Sequence, residues 1–123
     1  MNTITWIFSG ALAVVFTISG LLKATMPRAR LIASGQTGIA PFPMPLVRFV
    51  AVCELLAVAG LIAPWLTDNA RVLTPLAAVG LVIVMIGAAT SHSSLREPRP
   101  TAANTILLAL AAFVAAARFA SLT

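Results

Sequence analysis

Two stretches of this chain carry no Asp, Glu, Lys or Arg at all: Ile4 to Leu22 and Val72 to Ser91. Runs of that length cannot be hidden inside a soluble domain of 123 residues. They match the roughly 20 apolar residues with which an α-helix crosses about 30 Å of hydrocarbon. Hydrophobic residues make up 60% of the chain and charged ones 9%, far from the roughly 25% charged residues of soluble domains. The expected surroundings are a lipid bilayer, and the chain is expected to be one membrane domain over residues 1–123.

The net charge of +5 does not point to nucleic acid. Lys23, Arg28, Arg30, Arg96 and Arg99 fall in the connections between apolar runs, where membrane topology places basic residues. Cys53 is the only cysteine, so a dithiol redox pair within the chain is excluded. Met1 to Trp6 lacks the basic residues of a signal peptide, so the first run is expected to be a retained span.

The predicted fold is all-α, a bundle of four transmembrane helices over about residues 4–22, 46–63, 74–92 and 101–119. In the first span, Ser9, Ala13, Phe16, Gly20 and Lys23 recur at helical spacing and form a face that another helix can approach closely. Pro27 followed by the run to Gly35 predicts a short interfacial helix in the first loop, with Leu31 and Ile32 turned inward. Pro64 is expected to end the second span, with Trp65 at the interface, and Thr74 to cap the third. The fourth, uncharged only from Thr101 to Ala117, is short for a crossing, so Arg118 is expected to snorkel outward to phosphate headgroups or to Asp68. The two loops on one side hold five basic residues and the Thr67–Leu73 connection holds only Arg71. The positive-inside rule therefore predicts a multi-pass cell-membrane protein with both termini outward.

Glu54 is the most demanding residue, because a fixed charge near the centre of a span costs about 2.5 to 3.5 kcal/mol on insertion scales. It must turn inward, paired with a cation or carrying a proton. By depth, Lys23, Arg48, Glu54, His92 and Asn104 share one end of the bundle and define a candidate polar cluster, structural or ligand-holding. His92 is the sole histidine and Cys53 and Glu54 diverge on a helix, so no metal site is expected. The sequence contains no glycine-rich phosphate loop, nucleophile elbow or hydrolase-type carboxylate pair, and catalytic residues stay unassigned.

Several stretches in order carry a family likeness: Phe16 to Lys23; Arg48, Glu54-Leu55-Leu56 and Gly60 to Pro64; Leu73 to Leu81 with Met85, Gly87 and His92; then Asn104 and Arg118. Together they resemble the DoxX-like family of small four-span membrane proteins. With small-residue stripes such as Ala77, Gly80, Val84, Gly87 and Ser91 as docking surfaces, the function expected beside that resemblance is a non-catalytic partner or assembly module, a homodimer or part of a redox complex. The alternative it implies is a membrane subunit of a quinone-linked oxidoreductase, with quinone as the ligand and no other cofactor evident. The bundle is also similar to that of vitamin K epoxide reductase, but the paired cysteines needed for its thiol chemistry are missing.

Overall fold

In a computed structural model of the chain, which describes residues 2–122, each apolar run becomes a helix longer than its uncharged core. Residues 1 and 123 of the expected domain lie outside the described residues. The long helices are α1 (Asn2–Thr25), α3 (Met44–Thr67), α4 (Leu73–Ser94) and α5 (Pro98–Ser121). A short α2 (Arg28–Ala33) and a single 3-10 turn (Thr37–Ile39) fill the first loop. All four long helices are long and apolar enough to cross a membrane. Their outer faces carry large apolar side chains such as Ile7, Phe49, Leu56, Leu66 and Ile83, all more than half exposed. Such a surface suits acyl chains and is untenable in water.

Neighbours in sequence are neighbours in space. Two pairs, α1 with α3 and α4 with α5, pack most extensively, and α3–α4 and α1–α5 contacts close the ring. The core between them is Leu12 and Phe16 of α1, Leu61 of α3, Ala78, Leu81 and Met85 of α4, and Ala111, Val114 and Ala115 of α5. Phe8 meets Phe113 edge-on at 5.2 Å. The small-residue face read in α1 is turned inward, with Ser9, Phe16, Gly20 and Lys23 buried.

Pro64 does not end the second span; α3 continues through it to Thr67. A proline cannot donate to the carbonyl four residues back, so the Gly60 oxygen loses its helical partner. The Thr74 hydroxyl supplies the missing hydrogen, donating to Gly60 O at 2.6 Å. Thr74 is therefore no N-cap: α4 begins one residue earlier, and its hydroxyl joins α4 to α3. The same crossing is tight, since a Cβ on Gly60 would stand 2.8 Å from Ala77 Cβ, whereas one on Gly80 would meet nothing within 4 Å. An alanine Cβ cannot swing aside, so the backbones must part. Gly60→Ala is expected to destabilise the bundle by about 1–3 kcal/mol, with Gly80→Ala neutral or slightly stabilising; thermal melting in detergent separates the two.

The short helix expected in the first loop forms, as α2, but only one of its two apolar residues turns inward. Leu31 is buried with Ile39 and Val47 against Leu22, Met26 and Met44, while Ile32 faces outward. Gly35, at φ +103°, closes α2. Gly35 N and Gln36 N then donate to Ile32 O and Leu31 O at 3.2 and 2.9 Å, the Schellman pattern in which a left-handed residue satisfies the last carbonyls. Arg28 staples the rest of the loop by donating to the carbonyls of Ile39, Ala40 and Phe42.

A polar-headed groove and a buried guanidinium

Glu54, eleven residues into α3, is fully buried and turned into the bundle. Lys23, in the last turn of α1, donates from Nζ to Glu54 Oε1 at 2.9 Å, and the Ser19 hydroxyl donates to Oε2 at 3.1 Å. Ser19 and Lys23 are one helical turn apart and share a face, so α1 presents two donors to one carboxylate. Gly20 between them lets the helices approach: a Cβ there would lie 2.8 Å from Leu55 Cγ. Gln36 of the first loop extends the network, its amide nitrogen 3.4 Å from Ser19 Oγ.

Arg48 stands beside this pair but does not bind the acid. Its guanidinium donates to Lys23 O, one of the carbonyls that the end of α1 leaves without a helical partner. His92 and Asn104 share the depth expected of them yet bond elsewhere. Asn104 donates to Pro100 O at 3.0 Å on its own helix. His92 Nδ1 lies 2.8 Å from Glu97 Oε1. Glu54 and His92 are thus not paired: Glu54 holds Lys23, and His92 sits on Glu97.

The reason is local. Arg96 adopts a left-handed conformation at φ +58°, and Glu97 N and Arg96 N cap α4 by donating to His92 O and Ser93 O. That turn brings Glu97 back over His92. Thr37 of the 3-10 turn donates to the same Glu97 oxygen at 2.9 Å, and Ser91 donates to Gly38 O at 2.6 Å. The His92 ring lies flush on Gly38, where a Cβ would come within 2.8 Å of Nε2. Together these bonds latch the first loop onto the α4–α5 turn. Glu97, Thr37, Ser19 and Gln36 all went unread in the sequence; only the five-residue spacing from His92 to Glu97 across a short loop hinted at any of them.

The hydrogen bond from His92, and then that from Thr37, hold the Glu97 carboxyl below its ordinary 4.5 despite partial burial. A depressed carboxyl stabilises the latch fully above its unfolded value and loses that contribution as pH falls through its folded one. Hydrogen exchange in residues 34–43, corrected for intrinsic rates, is therefore expected to accelerate as the pH is taken below 4.5. In Glu97→Ala, which removes the acceptor of the Thr37 and His92 bonds, it should be fast already at neutral pH, with the acid-dependent step gone.

Between the α1–α3 pair and the α4–α5 pair lies a groove of about 1490 Å³, open to the side of the bundle. Its walls are apolar over most of their length, among them Phe49, Cys53 and Leu56 of α3, Ala77, Gly80 and Val84 of α4, and Leu107 of α5. Its polar residues gather at one end: Ser19, Lys23, Ser34, Gln36, His92 and Asn104. Of the sequence-derived cluster, Lys23, His92 and Asn104 line this groove, while Glu54 and Arg48 stand behind the wall and fix Lys23.

At the opposite end Arg118 is not snorkelling. It is 1% exposed, the largest fully buried side chain, because α5 runs to Ser121 and has length to spare for a crossing. Asp68 does not meet it; that carboxylate pairs with Arg71 at 3.3 Å on the surface. Arg118 instead donates from Nη1 to Asn2 Oδ1 at 3.0 Å. Its guanidinium lies over the rings of Trp6 and Trp65, 4.9 and 4.3 Å from their centroids. Arg71 sits over Trp65 as well, at 3.8 Å, and its carbonyl accepts from the indole nitrogen.

A four-span apolar bundle with a laterally open, polar-headed groove defines a small integral membrane protein. The DoxX-like family matches residues 7–114, and the chain belongs to that family. No curated protein and no solved structure matches it.

Proposed function

We propose that this protein is a non-catalytic membrane subunit that holds a quinone in the lateral groove and presents it to a partner redox protein. The observation that carries this reading is the groove itself, whose apolar length ends in a compact set of hydrogen-bond donors. Pockets for drug-sized ligands span roughly 300–1,000 Å³, so a space of 1490 Å³ suits a ligand with a long tail. The lateral opening admits such a molecule from the bilayer. At the polar end the Lys23 ammonium and the amides of Gln36 and Asn104 can donate to ring carbonyls.

The residues fit that group, which when bound supplies two-electron redox chemistry; this chain's own part is to bind, orient and desolvate it. Lys23 is held by Glu54, Ser19 by the same carboxylate, and Gln36 by the latched first loop. The distribution of basic residues supports placing this polar end at the cytoplasmic face of the cell membrane, with both termini outward.

A second reading, an assembly module that docks a partner's helix, is favoured by Gly80 and Gly87, whose α-carbons face open space and lie along the groove. Purification in mild detergent separates the readings. The quinone reading requires bound quinone in the organic extract and a thermal shift on adding a short-tailed quinone. Absence of both from a folded preparation overturns it.

A further inference from the structure

The chain has three acidic residues, and each is engaged elsewhere: Glu54 by Lys23, Asp68 by Arg71, Glu97 by His92. Among the described residues Arg118 is buried without a counter-ion. Its Nη1 has only the neutral Asn2 oxygen, and its Nε and Nη2 are shielded with no hydrogen-bond partner among the described residues. Those two nitrogens are the side-on fork of a guanidinium, the edge that matches a pair of oxygens on a carboxylate or phosphate. The Trp6 and Trp65 rings hold the guanidinium and so fix where the fork points.

We propose that this fork is a binding site for a phosphate oxyanion, supplied by the headgroup of an anionic phospholipid. Indole rings mark headgroup depth in membrane helices, and Arg118 lies in the last turn of α5 beside two of them. Arg71 adds a second cation over the Trp65 ring, balanced only by Asp68, so the patch carries excess positive charge. Phe119 and Leu66, next in sequence to Arg118 and Trp65, are exposed apolar side chains available to acyl chains. The fork is shielded, so admitting the ligand requires a shift, which we assign to the exposed first turn of α1, Asn2 to Ile4. The site is at the far end of the bundle from the polar head of the groove and does not depend on the quinone reading.

Native mass spectrometry of the full chain, titrated with phosphatidylglycerol, tests it. The expected result is one tightly retained lipid per chain, with affinity lowered about tenfold in Asn2→Asp, where an internal carboxylate neutralises the guanidinium, and in Arg118→Lys, which keeps the charge but loses the fork. Asn2→Asp leaves Arg118 in place, so it decides the question even if Arg118→Lys does not fold. Equal retention by wild type and Asn2→Asp overturns the proposal. Stabilisation by inorganic phosphate alone, with no preference for the lipid, assigns the fork to a soluble anion and overturns the lipid assignment.

Discussion

Lys23→Met is expected to be the most damaging single change in the bundle, costing about 3–5 kcal/mol, because it leaves a buried carboxylate with no compensating cation. Glu54 has no exposed surface, and the Ser19 hydroxyl alone cannot replace an ammonium. The loss comes from the stranded charge rather than from the worth of the pair. Replacing both partners at once, Lys23→Met with Glu54→Leu, is therefore expected to recover most of the stability, since buried ion pairs are often matched by apolar residues of similar volume. Glu54→Gln should be mild, because an amide oxygen still accepts from Lys23. Melting of the wild type, Lys23→Met, Glu54→Leu and the double variant in one detergent gives the double-mutant cycle, and additive losses would show that the two side chains do not act as a unit. The stable double variant would also lack the ammonium at the polar end of the groove, separating folding from ligand binding.

Gly80→Phe is expected to have the second largest effect, on ligand retention rather than on folding. A Cβ at Gly80 meets nothing within 4 Å, so an aromatic ring there projects into the groove without pressing on the core. Retained quinone should fall at least about tenfold while the melting temperature changes little, since the ring fills space that the tail needs and removes its many dispersion contacts with the groove walls. Gly80→Ala, which leaves the groove open, is the matched control. If Gly80→Phe retained quinone like the wild type, the ligand would have to lie elsewhere.

The fold was legible because its signals are local. Runs without charge set the helices, and the recurrence of Ser9, Phe16, Gly20 and Lys23 fixed the inward face of α1. The depth of Glu54, Lys23, His92 and Asn104 also followed from the rise per residue. Azimuth did not. Whether Glu54 met Lys23, Arg48 or His92 depended on the rotation of α3 against α1, which a stretch of Ala, Leu and Val leaves undetermined. His92 was claimed by Glu97 through a left-handed Arg96, a conformation that no local residue preference announces. For Arg118 the burial and the partner were missed: Asn2 is 116 residues away, and helix length alone suggested an exposed side chain or a pairing with Asp68. Pro64 misled for the opposite reason, since the rule that proline ends a helix holds only where the freed carbonyl finds no substitute donor, and here Thr74 provides one.

The sole cysteine gives the most direct test of the groove. Cys53 lines it, so a lipid-soluble maleimide should alkylate the protein there in lipid nanodiscs. A short-tailed, fully ring-substituted benzoquinone, which has no free ring position to react with a thiol, is then added at increasing concentration. Saturable protection of Cys53, absent in Gly80→Phe, is the expected result. An alkylation rate that stays constant across the whole quinone titration would contradict a quinone seated in this groove.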